Sequence, residues 1–388
     1  MSRQVADAPP SPDAAASGQG LRLAVLGAGL VGGSIALAAR AAGPVVAEVV
    51  VTDADPEVRQ RVRELGLARV VDDLEVAVDT ADLVIAAVPS RAVAEVLEAA
   101  AAAAPGGALL TDAASLKADT TAEVTARLSA RDLDPTRFVG GHPMAGSERS
   151  GPDAADARLF QGATWVLTPT AATADATLTR VATFLRTLGA RVVALAPERH
   201  DELVAVVSHL PQVVASTLAA VAADAIEATG DAVLAVAGGG FRDTTRIAAS
   251  DPGLWIEILA GNRTAVLEAL DAYTATLLQA REAVAGRDWE SLEALLARAS
   301  GARQRLVPKA TPTEVADLLV ALDDQPGQLA TATTALGAAG INVEDLALRH
   351  AGDGGRGALL LQVGTGDLER ARTVLLSAGL VVHVDRGS

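Results

Sequence analysis

The 388-residue chain contains no cysteine. That absence excludes disulfides, thiolate nucleophiles and thiolate metal sites together, and it fits a cytoplasmic setting. Long apolar runs are missing as well. The runs are six residues at most, such as Ala99 to Ala104, which is alanine within an amphipathic pattern, far short of the ~20 residues a membrane-spanning helix needs. No membrane association is expected from it. Residues 1–20 lack the apolar segment of a signal peptide, and their alanine, proline, serine and aspartate read as a flexible tail. Positive charge is scarce. The net charge is −16, which argues against nucleic acid as a partner. Lysine is scarcer still, with Lys117 and Lys309 set against thirty arginines. The five histidines (His142, His200, His209, His350 and His383) show no metal-ligand spacing, so no metal is expected. An acidic protein repels a small anionic substrate, so a site for one must gather cations locally.

Half the residues are hydrophobic, enough for two or three domains with their own cores. From Leu21 to about Pro197, short apolar runs (Leu21–Leu26, Glu48–Thr52, Leu83–Val88, Ala108–Thr111, Phe138–Gly140, Thr164–Thr168) alternate with helical stretches such as Val31–Ala42 and Arg91–Ala104. This is the α/β pattern of a mostly parallel sheet covered on both faces. Over 198–306 the strand signals vanish, and long helical patterns occupy Arg199–Ala228, Pro252–Ala285 and Asp288–Leu306. Asp251 before Pro252 reads as an N-cap with proline in the first turn. Residues 307–313, with two prolines, form a linker. Residues 314–388 then read strand, helix, strand, strand, helix, strand, a ferredoxin-like module.

Gly27-Ala28-Gly29-Leu30-Val31-Gly32 is a G-x-G-x-x-G that closes one predicted strand and opens a helix, and Asp53 ends the next strand. Gly27 makes the tight turn, Gly29 lets the backbone approach a pyrophosphate, and Gly32 allows close helix–strand packing. The amides of Leu30 and Val31 open the helix toward the phosphates, and Asp53 accepts from ribose hydroxyls. Residues 21–197 therefore read as a Rossmann-like dinucleotide-binding domain. An acid at position 53 repels a 2′-phosphate and favours NAD over NADP, although Arg59 lies nearby in sequence.

Two further strand ends carry candidate chemistry, because strand C-termini in such sheets face the ligand crevice. After Ala108–Thr111 comes Asp112-Ala113-Ala114-Ser115-Leu116-Lys117. Ser115 either presents its hydroxyl to the nicotinamide or substrate, or caps the next helix. After Phe138–Gly140, His142 falls on a glycine-rich loop. An imidazole with an unperturbed pKa of ~6.5 is suited to general base work there.

The segment Gly140-Gly141-His142-Pro143-Met144-Ala145-Gly146-Ser147-Glu148-Arg149-Ser150-Gly151 resembles the signature of the prephenate dehydrogenase family. Three more stretches resemble the same family in the same order. They are Val207-Ser208-His209-Leu210-Pro211, then Gly238-Gly239-Gly240-Phe241-Arg242-Asp243-Thr244-Thr245-Arg246-Ile247-Ala248, then Ser250-Asp251-Pro252 followed by Trp255. The resemblance runs from Leu21 to about Leu306. It implies that His142 takes the proton of the substrate's C4 hydroxyl, with Ser115 orienting both. It also implies that Arg246, helped by Arg242 or His209, binds the ring carboxylate, and that His209 lies near the pyruvyl side chain. The helical segment over 198–306 would then be a substrate and dimerisation domain. Where many members have a second histidine after Ser-His-Leu-Pro, this chain has Gln212, so that histidine's role is not carried over.

The implied reaction is NAD-dependent oxidative decarboxylation of prephenate to 4-hydroxyphenylpyruvate. Arogenate, with an ammonium in place of the ketone, is the alternative substrate, and Glu148 could receive that ammonium. A related 3-hydroxyacid dehydrogenase would need a catalytic lysine on the helical domain, and none occurs between Lys117 and Lys309. A sensor with an inactive Rossmann domain conflicts with the intact set Ser115, His142, His209 and Arg246. The C-terminal module resembles an ACT domain through Asp324-Gln325-Pro326-Gly327-Gln328-Leu329 and Gly340-Ile341-Asn342-Val343-Glu344. That resemblance implies an amino-acid effector, tyrosine, held by Asp324, Gly327, Leu329 and Asn342, or else a dimerisation module without a ligand.

Overall fold

The structure, a computed structural model, describes residues 20–146, 149–230, 233, 236–306, 315–322, 328–341, 343–349 and 357–385. Glu148, Asp324, Gly327 and Asn342 lie outside the described residues. Two compact units divide between Thr276 and Leu277.

Eight strands build the sheet of the first unit: β1 (Leu21–Leu26), β2 (Val46–Thr52), β3 (Arg69–Val70), β4 (Leu83–Ala86), β5 (Leu109–Asp112), β6 (Phe138–Pro143), β7 (Thr164–Thr168) and β8 (Arg191–Ala194). Their order is β3-β2-β1-β4-β5-β6-β7-β8. Every pairing is parallel except β6 with β7. β1 explains why these strands read as continuous apolar runs. Leu23 and Val25 enter the core on one face of the sheet, and Ala24 and Leu26 enter the core on the other. A strand buried on both faces has no solvent side to make polar. The strand order reverses direction between β1 and β4, and a ligand crevice opens beyond the strand ends at such a switch point.

Among the described residues from 198 to 306 all regular structure is helical, as the sequence indicates. Asp251 caps the helix Pro252–Gly261, its carboxylate accepting from Gly253 N at 3.0 Å. The continuous pattern expected over Pro252–Ala285 is instead two helices, Pro252–Gly261 and Arg263–Gly286, broken at Asn262. The first helical run, Pro197–Ala228, is long and apolar enough to cross a bilayer. Serine, histidine and glutamine interrupt it, so the sequence shows no unbroken apolar run of membrane-spanning length there. His200, Asp201, His209 and Gln212 on this run are buried, and each makes a hydrogen bond inside the protein. Within it, Ala205–His209 is a widened π turn. Pro211 follows directly and has no N–H to give the Val207 carbonyl its ordinary helical donor.

In the second unit, β9 (Val315–Leu322), β10 (Val343–Arg349), β11 (Gly357–Gly364) and β12 (Val381–Asp385) form an antiparallel sheet in the order β10-β11-β9-β12. The helices Gln328–Ala338 and Leu368–Ser377 supply Ala332, Leu336, Ala371 and Leu375 to a core with Leu318, Val320, Leu359 and Leu361.

Candidate active site

The glycine-rich turn leaves β1 and enters the helix Leu30–Ala41. Gly27 has φ +96°, and a Cβ there would strike the Ala87 carbonyl. A Cβ on Gly32 would strike the Gly27 carbonyl. Gly29 differs: nothing lies within 4 Å of its missing side chain. It is the helix N-cap, so no N-cap side chain satisfies the first amides of the helix, those of Leu30 and Val31 included. The Asp53 carboxylate lies against this turn, accepting from Ala28 N at 2.7 Å and from Asp55 N at 2.9 Å. Arg59 is held close by, donating to the Asp53 carbonyl at 2.6 Å and pairing with Asp72 at 3.0 Å. These residues fit a dinucleotide: glycine where backbone is crowded, open space at Gly29, and a carboxylate at the end of β2.

His142 belongs to β6, not to the loop after it. Antiparallel pairing with β7 carries the strand on to Pro143, with His142 opposite Val166. Its Nδ1 lies 2.8 Å from Nε2 of His200. His200 is fully buried, and its Nδ1 lies 2.7 Å from the Asp201 carboxylate. That carboxylate also accepts from the backbone amides of Lys117 at 3.0 Å and Ala118 at 2.8 Å. Asn262 continues the network. Its Nδ2 donates to the Asp201 carbonyl at 2.7 Å and lies 3.2 Å from His209 Nδ1. A connected network of hydrogen bonds thus links His142, His200, Asp201, Asn262 and His209. Sequence reasoning missed His200, Asp201 and Asn262. His200 stands 58 positions from His142, with no motif around it to mark the pairing.

Burial, reinforced by repulsion from His200, Lys117 and His209, holds His142 well below the ordinary histidine range. It is neutral at physiological pH and can accept a proton. His209 packs edge-on against Trp255. Burial pushes its pKa down to about 4 against the pull of Asp201. His209 would therefore meet a carboxylate as a neutral hydrogen-bond donor and not as a cation.

The remaining expectations divide. Ser115 is half-buried in the loop after β5. It does not cap a helix, since the next one, Ala118–Ala130, has Lys117 at its N-cap. Arg246 starts a 3-10 turn, Arg246–Ala249, after the short helix Gly239–Thr245. Both Arg242 and Arg246 are exposed, and Arg242 donates to the Ala237 carbonyl at 3.1 Å. Buried Gln212, three residues beyond His209, donates to the Ile247 carbonyl at 3.0 Å, so the turn bearing Arg246 is tied to the helix bearing His209.

A glycine-rich turn with an acid beside it, and a neutral histidine steered by a second histidine and a carboxylate, define the class of nicotinamide-dependent dehydrogenases. Residues 35–194 match the family described as prephenate dehydrogenase, nucleotide-binding domain. Residues 196–298 match its companion, prephenate dehydrogenase, dimerization domain. The chain belongs to the prephenate dehydrogenase family and is an NAD-dependent oxidoreductase. It is 37% identical over 272 residues to a cyclohexadienyl dehydrogenase of Zymomonas mobilis, covering 70% of this chain and 90% of that one. It is 32% identical over 327 residues to the prephenate dehydrogenase of Bacillus subtilis, covering 82% and 86%. Among solved structures it resembles the Aquifex aeolicus prephenate dehydrogenase bound to hydroxyphenyl propionate and NAD+, with TM-score 0.66, 29% identity and coverage of 75% and 99%. It also resembles the Synechocystis arogenate dehydrogenase, with TM-score 0.62, 29% identity and coverage of 74% and 100%.

Proposed function

We propose that the chain oxidises and decarboxylates prephenate to 4-hydroxyphenylpyruvate, with His142 as general base. The observation that carries this reading is the His142–His200–Asp201 line at the end of β6. An ionised Asp201 only accepts, so the His200 Nδ1 carries the hydrogen. The His200 Nε2 lone pair then accepts the Nδ1 hydrogen of His142. This leaves a lone pair on His142 Nε2, ready for the substrate's C4 hydroxyl proton. NAD, held at the glycine-rich turn, would supply the acceptor for the hydride leaving C4. Loss of the ring carboxylate as carbon dioxide sends its electron pair into the ring, which becomes aromatic, and the phenol oxygen takes a proton back. The site's own task is to orient and deprotonate. Ser115, in the neighbouring loop after β5, would orient the hydroxyl, and Arg246 with Arg242 would bind the ring carboxylate.

Arogenate is the second reading, supported by likeness to a cyclohexadienyl dehydrogenase and to an arogenate dehydrogenase. With Nδ1 beside the Asn262 amide nitrogen, a neutral His209 carries its hydrogen on Nε2 and suits a ketone oxygen better than an ammonium, while Glu148 is the residue suited to an ammonium. Prephenate and arogenate, each assayed with NAD and with NADP by absorbance of the reduced coenzyme, test the assignment. Prephenate with NAD is expected to have the highest kcat/KM. Higher kcat/KM with arogenate would reverse the choice of substrate. Asp53→Ser should narrow the preference for NAD, because Arg59 stands beside it and the acid no longer repels a 2′-phosphate. Wild-type preference for NADP would remove that role from Asp53.

The same reading assigns 21–197 to the dinucleotide domain, 198–306 to substrate binding and dimerisation, and 314–388 to control, in a cytoplasmic homodimer. Exposed Val206, Val207, Val221, Leu254 and Ile256 support self-association of the helical region. The sheet order of the second unit, β10-β11-β9-β12, supports reading it as a ferredoxin-like ACT module, with tyrosine as its proposed effector. Asp324, Gly327 and Asn342, with Leu329 in the first turn of the helix Gln328–Ala338, are the proposed contacts. Calorimetric titration of the full chain should give saturable tyrosine binding, and a coupling of about 1–3 kcal/mol would change substrate affinity about 5–150-fold. No heat with tyrosine would leave the module a dimerisation element.

A further inference from the structure

Lys117 is one of two lysines against thirty arginines, and its side chain is fully buried. The ammonium pairs with the Asp112 carboxylate and donates to the Gly141 carbonyl at 2.8 Å. Asp112 in turn accepts from Gly141 N at 3.0 Å. The ion pair thus holds both backbone polar groups of the residue immediately before His142. Gly141 itself has little room to shift, since a Cβ there would lie 2.9 Å from Trp165 Nε1 and 3.0 Å from Thr111 Oγ1. On its other side, the Lys117 backbone amide donates to Asp201 at 3.0 Å, the carboxylate that steers His200.

One residue therefore grips both ends of the pair: the strand bearing His142 through its side chain, and the carboxylate behind His200 through its amide. Stability alone explains this poorly. The desolvation of a buried ion pair roughly cancels its attraction, and apolar residues of the same volume would serve packing as well. The enclosed site offers one carboxylate and one carbonyl to a compact ammonium, whereas a guanidinium would bring five donors in a planar fork. That accounts for lysine in so arginine-biased a chain.

We propose that Lys117 is a positioning residue of the reaction, setting the hydrogen bond between His142 and His200 through Gly141 and Asp201. The proposal rests on His142 being the base. The groups facing His142 are His200, Lys117 and His209, with Asp201 behind His200 and Asp112 behind Lys117.

The test uses the full chain carrying Lys117→Met, with titration of NAD as the control for folding and steady-state kinetics followed across pH. The expected result is a fall in kcat of about 10²-fold, the scale of a small misplacement of a reacting group. KM for the substrate should change little, and the acid limb of the kcat profile should move to higher pH. The limb moves because an ammonium no longer repels a proton from His142 and Asp112 is left unpaired. If Lys117→Met does not bind NAD, Lys117→Met/Asp112→Asn removes both charges and should show the same loss in kcat with a smaller movement of the limb. Wild-type kcat and an unmoved limb in an NAD-binding variant would overturn the proposal. Loss of NAD binding in both variants would also overturn it, marking Lys117 as structural. Should His142→Asn turn over normally, the assignment of the base itself fails. An inactive His142→Asn beside a fully active Lys117→Met sinks only the role of Lys117.

Discussion

Replacing His142 with asparagine is expected to lower kcat by about 10²–10⁴-fold, the usual cost of removing a general base. Asparagine can still donate a hydrogen bond toward His200 but has no basic lone pair for the substrate hydroxyl. KM and NAD affinity should therefore change little, because the base acts mainly as the hydroxyl proton is lost. Steady-state kinetics with NAD titration in parallel would check this, and near-normal turnover would rule the role out. The pH profile gives a second check. His142 must be neutral to act, so activity is lost as pH falls through its pKa. That pKa is depressed by burial and by His200, Lys117 and His209. The acid limb of kcat/KM should accordingly lie below the ordinary histidine value of 6.5, with a plateau through neutrality.

Arg246→Ala is expected to act on KM. Hydrogen bonds to charged groups contribute about 1.5–3 kcal/mol, which corresponds to a rise in KM of about 10–150-fold. kcat should stay within a few-fold, since the carboxylate contact exists before the transition state. The effect should be large in this chain because a net charge of −16 opposes binding of a dianion and His209 is neutral. The burden then rests on arginine, whose planar fork fits a carboxylate. An unchanged KM for prephenate in Arg246→Ala would show that another cation holds the ring carboxylate.

The dinucleotide half was legible because its requirements are local. Gly27 and Gly32 are glycines because of what lies against their own backbone, and the apolar β1 declares burial on both faces. Asp53 follows from its place at the end of β2. The helical region was legible from its 3.6-residue periodicity, although the break at Asn262 was not. Asn262 ends one helix where its side chain bonds Asp201 and reaches His209, and no periodicity records that contact.

The proposed catalytic network depends on contacts that sequence patterns do not carry. His142 was marked by its motif, but β6 continues through it only because β7 pairs alongside. His200 and Asp201 read as ordinary polar residues on a helix. They become a relay because the start of that helix packs against the loop after β5, where the amides of Lys117 and Ala118 meet the Asp201 carboxylate. His209 was named from its motif, yet its charge could not be read from it. Protonation depends on how much water a side chain loses, and that loss is set by Trp255, Asn262 and the helices around them. The chain's order of residues was enough for the Rossmann-like and helical regions, the coenzyme turn and the proposed base. Tertiary packing alone decided which groups steer that base and which are neutral, because hydrogen-bond distance and desolvation belong to residues brought together from distant parts of the chain.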